Sequence, residues 1–330
     1  MRWYANGEQE FTFDDVLLRP MYSEVPSRKT PYTHVSQWCG ETEYIVQPII
    51  VANMVSLARS EMVAALTRDS IIVPAHRNQS INDEVITMSH TAGCTPRAAT
   101  VGLIKTSQDG ARLEKLLEDG LEMLFLELAY ADTAAAVAEI KCIRKIFKKC
   151  LVAGNVCTPE ACARLFDAGA NIVKCGVGGG CVCETRIVTG CGVPQLSAVA
   201  ECATTGPIIA DGGIRSSGDI VKCLAAGAKF VMVGSLFAGT DEADPCRIYS
   251  GMASIEANGV QQGIIPEGIT VKVPYKGPAK RVAADLLAGL RQGMTMIGAN
   301  NLQELHEKAV FQRITPASIT EGYPHILNRI

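Results

Sequence analysis

Eight short runs of almost unbroken apolar residues recur along this chain: Ile49–Asn53, Ser70–Ala75, Ala98–Leu103, Met123–Leu128, Cys150–Val156, Ala170–Cys175, Gly206–Asp211 and Lys229–Gly234. A strand with one face in water alternates apolar with polar residues, whereas a strand covered on both faces does not. Amphipathic stretches such as Gly110–Asp119, Thr133–Lys148 and Thr158–Ala168 separate the runs. Parallel strands need such crossovers, and eight strand-then-helix units favour a closed (β/α)8 TIM barrel over an open doubly wound sheet. An internal echo agrees: Thr158–Val173 and Ser217–Val231 each read as a capped helix, an Ala-Gly-Ala turn and a strand. The α/β chain, residues 1–330, is expected to form one barrel domain. An N-terminal arm (1–45), an aperiodic lid or excursion (240–275) and an irregular tail (310–330) would accompany it. Helices are expected over Ala279–Gly293 and Asn301–Ala309.

Chemistry in such a barrel sits on the loops after the strands. The sixth run leads into Lys174-Cys175-Gly176-Val177-Gly178-Gly179-Gly180-Cys181-Val182-Cys183-Glu184-Thr185-Arg186. Glycine at that density lets backbone approach a ligand closely, and a thiol beside a cation at a strand end is where a thiolate is stabilised. The loop therefore reads as a cysteine nucleophile over a phosphorylated substrate, with tight turns and packed thiols as the plainer alternative. Asp211-Gly212-Gly213 and Gly234-Ser235 follow the last two runs, where barrels often hold phosphate on backbone amides; each also reads as a simple turn.

A formal net charge of −3 with no basic stripe argues against nucleic acid and anionic membranes as partners. No apolar run approaches the roughly 18 residues of a transmembrane helix, and the N-terminus lacks a signal-peptide core. The thirteen cysteines are odd in number and mostly single, so Cys142, Cys150, Cys162, Cys202 and Cys223 read as reduced core residues of a cytoplasmic protein. Cys181 and Cys183, two apart, lack the partners of a zinc site.

Together, FDDVLLRP (13–20), PIIVANM (48–54), the 176–186 loop, TGCGVPQLSAV (189–199), PIIADGGIRSSGDIVKCLAAGA (207–228), VMVGSLFAGT (231–240), YSGM (249–252), PEG (266–268) and VPYKGP (273–278) resemble the IMP dehydrogenase and GMP reductase family. The ordered set spans most of the chain. The resemblance implies a barrel enzyme, usually tetrameric, that uses NAD(P) and a purine nucleotide. It assigns Cys183 as the nucleophile at purine C2, with Thr185 and Glu267 handling protons. Asp211 would hold the ribose hydroxyls; Gly212, Gly213, Gly234, Ser235 and Tyr249 the 5′-phosphate; Met54, Gly251 and Met252 the rest of the nucleotide. Asn155, Glu127 and Arg186 would face the cofactor. Main-chain carbonyls of Gly176, Gly178 and Cys183 would bind potassium, completed by a neighbour's tail near Glu321 and Gly322.

Dehydrogenases of this family oxidise IMP with NAD+ through a flap carrying an Arg-Tyr pair, and most carry an inserted regulatory module; reductases convert GMP to IMP with NADPH. Here only Ala253–Ile265 separates YSGM from PEG, and it holds no Arg or Tyr. About twenty residues lead from Asn78 to Ala98, too few for the insert. These features point to a cytoplasmic, homotetrameric, NADPH-dependent GMP reductase, with IMP dehydrogenase or a non-catalytic nucleotide binder as alternatives. PEGITVKVPYKGP, GGIRSSGDIVKCLAAGA and the tail near Pro324-His325 look more dehydrogenase-like. Cys181, Gly179, Glu127 and Val55 depart from the residues usual in the family.

Overall fold

Continuous apolar runs become parallel strands because only a sheet covered by helices on its outside and packed side chains on its inside buries both faces. In the computed structural model, which describes residues 2–3, 10–259, 263 and 265–322, the strands are β1 (Ile49–Val51), β2 (Ala98–Val101), β3 (Met123–Glu127), β4 (Cys150–Val156), β5 (Ile172–Cys175), β6 (Ile208–Asp211) and β7 (Phe230–Val233). They pair in parallel in the order β1-β7-β6-β5-β4-β3-β2. The run Ser70–Ala75 closes the ring by bridging Ile72 to Ile50 and Ala75 to Ala99. Val51 N–H donates to the Ile72 carbonyl at 3.0 Å, and Ala75 N–H to the Ala98 carbonyl at 2.9 Å. The expected barrel is therefore present, with strand ends within two residues of those read from sequence.

The helices start where hydroxyl side chains satisfy their first amides. Thr133 caps Ala134–Ile146 and Thr158 caps Pro159–Ala168. Ser216, one residue earlier than the sequence echo suggested, caps Ser217–Ala225. Gly169 ends its helix at φ 116°, where a side chain would be strained. Interior side chains such as Phe125, Phe230 and Ile50 are fully buried in one continuous apolar cluster. Each such burial contributes about 1.5–3 kcal/mol relative to exposure.

Three readings change. The stretch 240–275 contains an antiparallel pair, β8 (Ile248–Ser250) with β9 (Thr270–Lys272), and a short helix, Ile255–Asn258. The tail contains a strand, Val310–Arg313, that pairs with Val16–Leu18 of the N-terminal arm, then a helix, Pro316–Glu321. The helix expected to end at Gly293 continues to Ile297 because its buried stripe runs on through Met294 and Ile297. Glu321 and Gly322 end the described part of the tail; Pro324 and His325 lie outside the described residues. All thirteen cysteines are free; Cys150, Cys162, Cys202 and Cys223 are buried as expected, but Cys142 is exposed on its helix.

Candidate active site

The loops after the strands enclose a cavity of about 340 Å³, within the usual size range of small-molecule sites. Its wall combines the 176–183 loop, the ends of β3, β4 and β6, the Gly234-Ser235 turn and the β8–β9 region.

Cys183 is half-buried at this wall, and its Sγ lies 3.1 Å from Thr185 Oγ1. The loop is laced to the segment that carries Glu267. Cys183 bridges Gly268, Glu184 N–H donates to the Glu267 carbonyl at 2.7 Å, and Ile269 N–H donates to the Val182 carbonyl at 3.0 Å. Cys183, Thr185 and Glu267 thus border one cavity although Glu267 is distant in sequence. Gly251, which donates to the Ile269 carbonyl, needs to lack a side chain, because a Cβ would come within 2.6 Å of the Val182 carbonyl oxygen.

The other end of the cavity is backbone-rich. Gly212 and Gly213 follow β6 at φ 99° and 77°, the left-handed region that favours glycine. A Cβ on Gly234 would lie 2.4 Å from the Tyr249 hydroxyl, so the phenol packs directly on the turn that also carries Ser235. Tyr249 is buried, and its hydroxyl donates to Met54 Sδ at 3.3 Å. Burial first, then the neighbouring Cys181 and Asp211, holds this phenol protonated well above its ordinary range. Met252 lines the same cavity.

Between these ends lies a charged floor. Lys174, 2% exposed, places Nζ 2.8 Å from Glu127 Oε1 and 3.0 Å from Asp211 Oδ2. Burial alone would lower its pKa, but Asp211 and Glu127 outweigh burial and raise it. Asn155 Nδ2 donates to Asp211 Oδ2 and the Gly176 carbonyl, both at 2.8 Å, while its buried Oδ1 has no partner among the described residues. Asn53 donates to the second Glu127 oxygen and to Thr100 Oγ1.

The structure thus gathers fourteen of the sequence-selected residues with Gly176 and Gly178 around one cavity; they are Cys183, Thr185, Glu267, Met54, Asp211, Gly212, Gly213, Gly234, Ser235, Tyr249, Gly251, Met252, Asn155 and Glu127. Arg186 does not line it. Its Nε donates to the Val177 carbonyl at 2.9 Å and its Nη2 to the Val193 carbonyl at 2.5 Å, so it braces the loop from behind. Lys174, Asn53, Arg77 and Arg215 line the cavity but were not assigned from sequence. A lysine inside the apolar run 170–175 was a visible signal for the first of them. Among the described residues, no group of three or more His, Cys, Asp or Glu side chains is arranged to hold a metal ion.

A profile of the IMP dehydrogenase / GMP reductase domain matches residues 10–325. The chain belongs to this family. Inosine-5′-monophosphate dehydrogenases of Staphylococcus aureus and Staphylococcus epidermidis are each 40% identical over 255 aligned residues, covering 69% of this chain and 52% of the relative. The chain thus spans about half the length of these curated relatives. A cysteine-to-alanine variant of GMP reductase from Trypanosoma brucei, in complex with guanosine 5′-monophosphate, is similar in structure at a TM-score of 0.87 and 25% identity. That similarity covers 97% of this chain and 98% of the other. Among the described residues, no helix is long and apolar enough to cross a membrane.

Proposed function

We propose that this chain converts GMP to IMP and ammonia with NADPH, through a covalent bond between Cys183 and purine C2. The observation that carries the chemistry is Cys183 Sγ at 3.1 Å from Thr185 Oγ1 on a wall shared with Glu267. The short Ala253–Ile265 segment favours the reductase direction because it lacks the Arg-Tyr pair that family dehydrogenases carry on their flap.

In this scheme the Cys183 sulfur adds to C2, and the bond from C2 to the exocyclic nitrogen breaks. Nitrogen leaves as ammonia after protonation relayed by Thr185 and Glu267, which border the same cavity. The reduced nicotinamide, when bound, supplies the hydride that takes nitrogen's place at C2. The C2–S bond then breaks and its electron pair returns to sulfur. Per turnover, GMP, NADPH and two protons give IMP, NADP+ and ammonium. The partnerless Asn155 Oδ1 suits a carboxamide N–H donor, so the cavity fits a nicotinamide there. Glu127 lines the same cavity, with its two oxygens held by Lys174 and Asn53.

Asp211 takes the ribose hydroxyls, Gly212, Gly213, Gly234 and Ser235 take the phosphate, and Met54 and Met252 flank the base. Potassium on the Gly176, Gly178 and Cys183 carbonyls, a homotetramer, a cytoplasmic location and a single barrel domain over residues 1–330 complete the proposal. The dehydrogenase reading, IMP with NAD+ to XMP, rests on the 40% identity to IMP dehydrogenases. Assaying GMP and IMP against reduced and oxidised cofactors decides: NADPH consumption with ammonia release from GMP supports the reductase, and XMP formation from IMP selects the dehydrogenase. Tight nucleotide binding without turnover identifies a non-catalytic binder.

A further inference from the structure

Arg77 borders a second cavity that the chemistry above does not use. This space of about 240 Å³ lies beyond the end of β2 and is mainly polar, with Arg77, Asn78, Gly102, Asp109 and Arg112 in its wall. Arg77 also lines the first cavity, so the two spaces meet at its side chain. Its guanidinium lies over Gly102, where a Cβ would come within 1.8 Å of Arg77 Nη1. Among the described residues Arg77 makes no hydrogen bond or ion pair. The neighbouring carboxylates have other partners. Glu84 is fully buried and accepts from Arg112 and, at 3.3 Å, from the Thr100 amide. Asp109 Oδ2 accepts from the Lys105 and Thr106 amides and the Thr106 hydroxyl, at 3.2, 3.1 and 2.9 Å. Arg112, 13% exposed, is fixed by Glu84 and by the Gln79 carbonyl at 2.9 Å. We infer that the second cavity is a phosphomonoester subsite, in which Arg77, backed by Arg112, receives the 2′-phosphate of NADPH and selects it over NADH. This rests on the proposed nicotinamide-dinucleotide reading and adds what distinguishes the two cofactors.

A guanidinium is a planar fork of five donors with no acceptor, and it matches phosphate oxygens two at a time. A monoester offers three terminal oxygens and up to two negative charges, more than either phosphoryl of a dinucleotide's diphosphate. Dinucleotide sites that take a 2′-phosphate place an arginine there, whereas those that take the free 2′-hydroxyl use a carboxylate. In this cavity the acidic Asp109 is turned to its own helix cap and the arginine is the group without a partner. With a nicotinamide at Asn155, the rest of the dinucleotide leaves the first cavity, and Arg77 marks where that cavity meets the second.

The test measures binding of NADPH, NADH and reduced nicotinamide mononucleotide to the full chain by calorimetry. IMP is present, so that no hydride is transferred. Wild type should prefer NADPH over NADH by about tenfold or more, the scale of hydrogen bonds to charged groups. Arg77→Met should bring NADPH down to the affinity of NADH, while NADH and the mononucleotide stay within a few fold of wild type. Gly102→Ala keeps the charge but fills the space the guanidinium occupies. Its backbone lies outside the left-handed region, so this variant should fold and should also lose the preference. If Arg77→Met does not fold, Gly102→Ala decides alone. Either folded variant that discriminates like wild type overturns the inference. So does Arg77→Met that weakens NADPH and NADH alike but spares the mononucleotide, because Arg77 would then hold the diphosphate. Wild type that binds both dinucleotides equally overturns the subsite while GMP turnover still stands or falls by its own assay. Wild type that prefers NADPH without turning over GMP removes the proposed reaction and leaves the subsite supported. Wild type that binds no reduced cofactor overturns both.

Discussion

Cys183 Sγ and Thr185 Oγ1 lie 3.1 Å apart on one loop, close enough to exchange a proton directly. A thiol and a hydroxyl two residues apart meet here because Gly180 accepts from the Cys183 amide and turns the chain before the short helix Thr185–Thr189 begins. If this pair performs the chemistry, Thr185→Val should lower turnover by about 100-fold or more while leaving GMP binding within a few fold, as expected for loss of a proton-transfer group. Cys183→Ala should abolish both turnover and covalent adduct, whereas Cys181→Ala should retain the adduct in mass spectrometry of the intact protein.

Gly176 turns out of β5 directly against the end of β6. A Cβ there would lie 1.9 Å from the Asp211 carbonyl oxygen, and φ is 143°. Gly176→Ala should therefore cost on the order of 1–3 kcal/mol and displace Asp211. A lowered thermal midpoint together with weaker GMP binding is the expected result; an unchanged midpoint would contradict the contact.

His76 and Glu84 set opposing pH slopes. Burial holds the His76 imidazole down to about 4 from its ordinary 6.5, helped by Arg59 and Arg112. The unfolded chain therefore binds this proton first, and stability is lost as pH falls from about 6.5 to about 4. Burial pushes Glu84 up to about 7 from 4.5, with Arg112 partly offsetting it. The unfolded chain releases that proton first, so stability is lost as pH rises from about 4.5 to about 7. Each slope is worth on the order of 3 kcal/mol. In urea unfolding, His76→Gln should leave stability falling between these pH values, and Glu84→Gln should leave it rising; equal slopes in both variants would refute the assignment.

Arg186 braces the 176–186 loop through the Val177 and Val193 carbonyls, and its stem lies where a Cβ on Gly178 would come within 2.4 Å. Arg186→Gln should raise loop susceptibility to limited proteolysis and weaken nucleotide binding, because the loop carrying Cys183 loses its support. A change confined to cofactor KM would instead return Arg186 to the cofactor-facing role read from sequence.

The barrel was legible in the chain because burial on both faces leaves a local mark: apolar runs of strand length, with Thr133 and Thr158 opening the helices between them. The Cys183 loop was legible for the same reason, since glycine spacing is a local constraint on backbone. β8 and β9 were not, because three-residue strands joined by a long excursion leave no period to read. Nor was the Lys174 cluster. A lysine in an apolar run signals a partner, but its identity depends on the registers that set Gly154 beside Lys174 and carry Glu127 and Asp211 to the same depth. Sequence by itself determined which segments are strands and where a thiol could be exposed. Tertiary structure decided which charges face one another, because distances between side chains on different strands are fixed only when the ring closes.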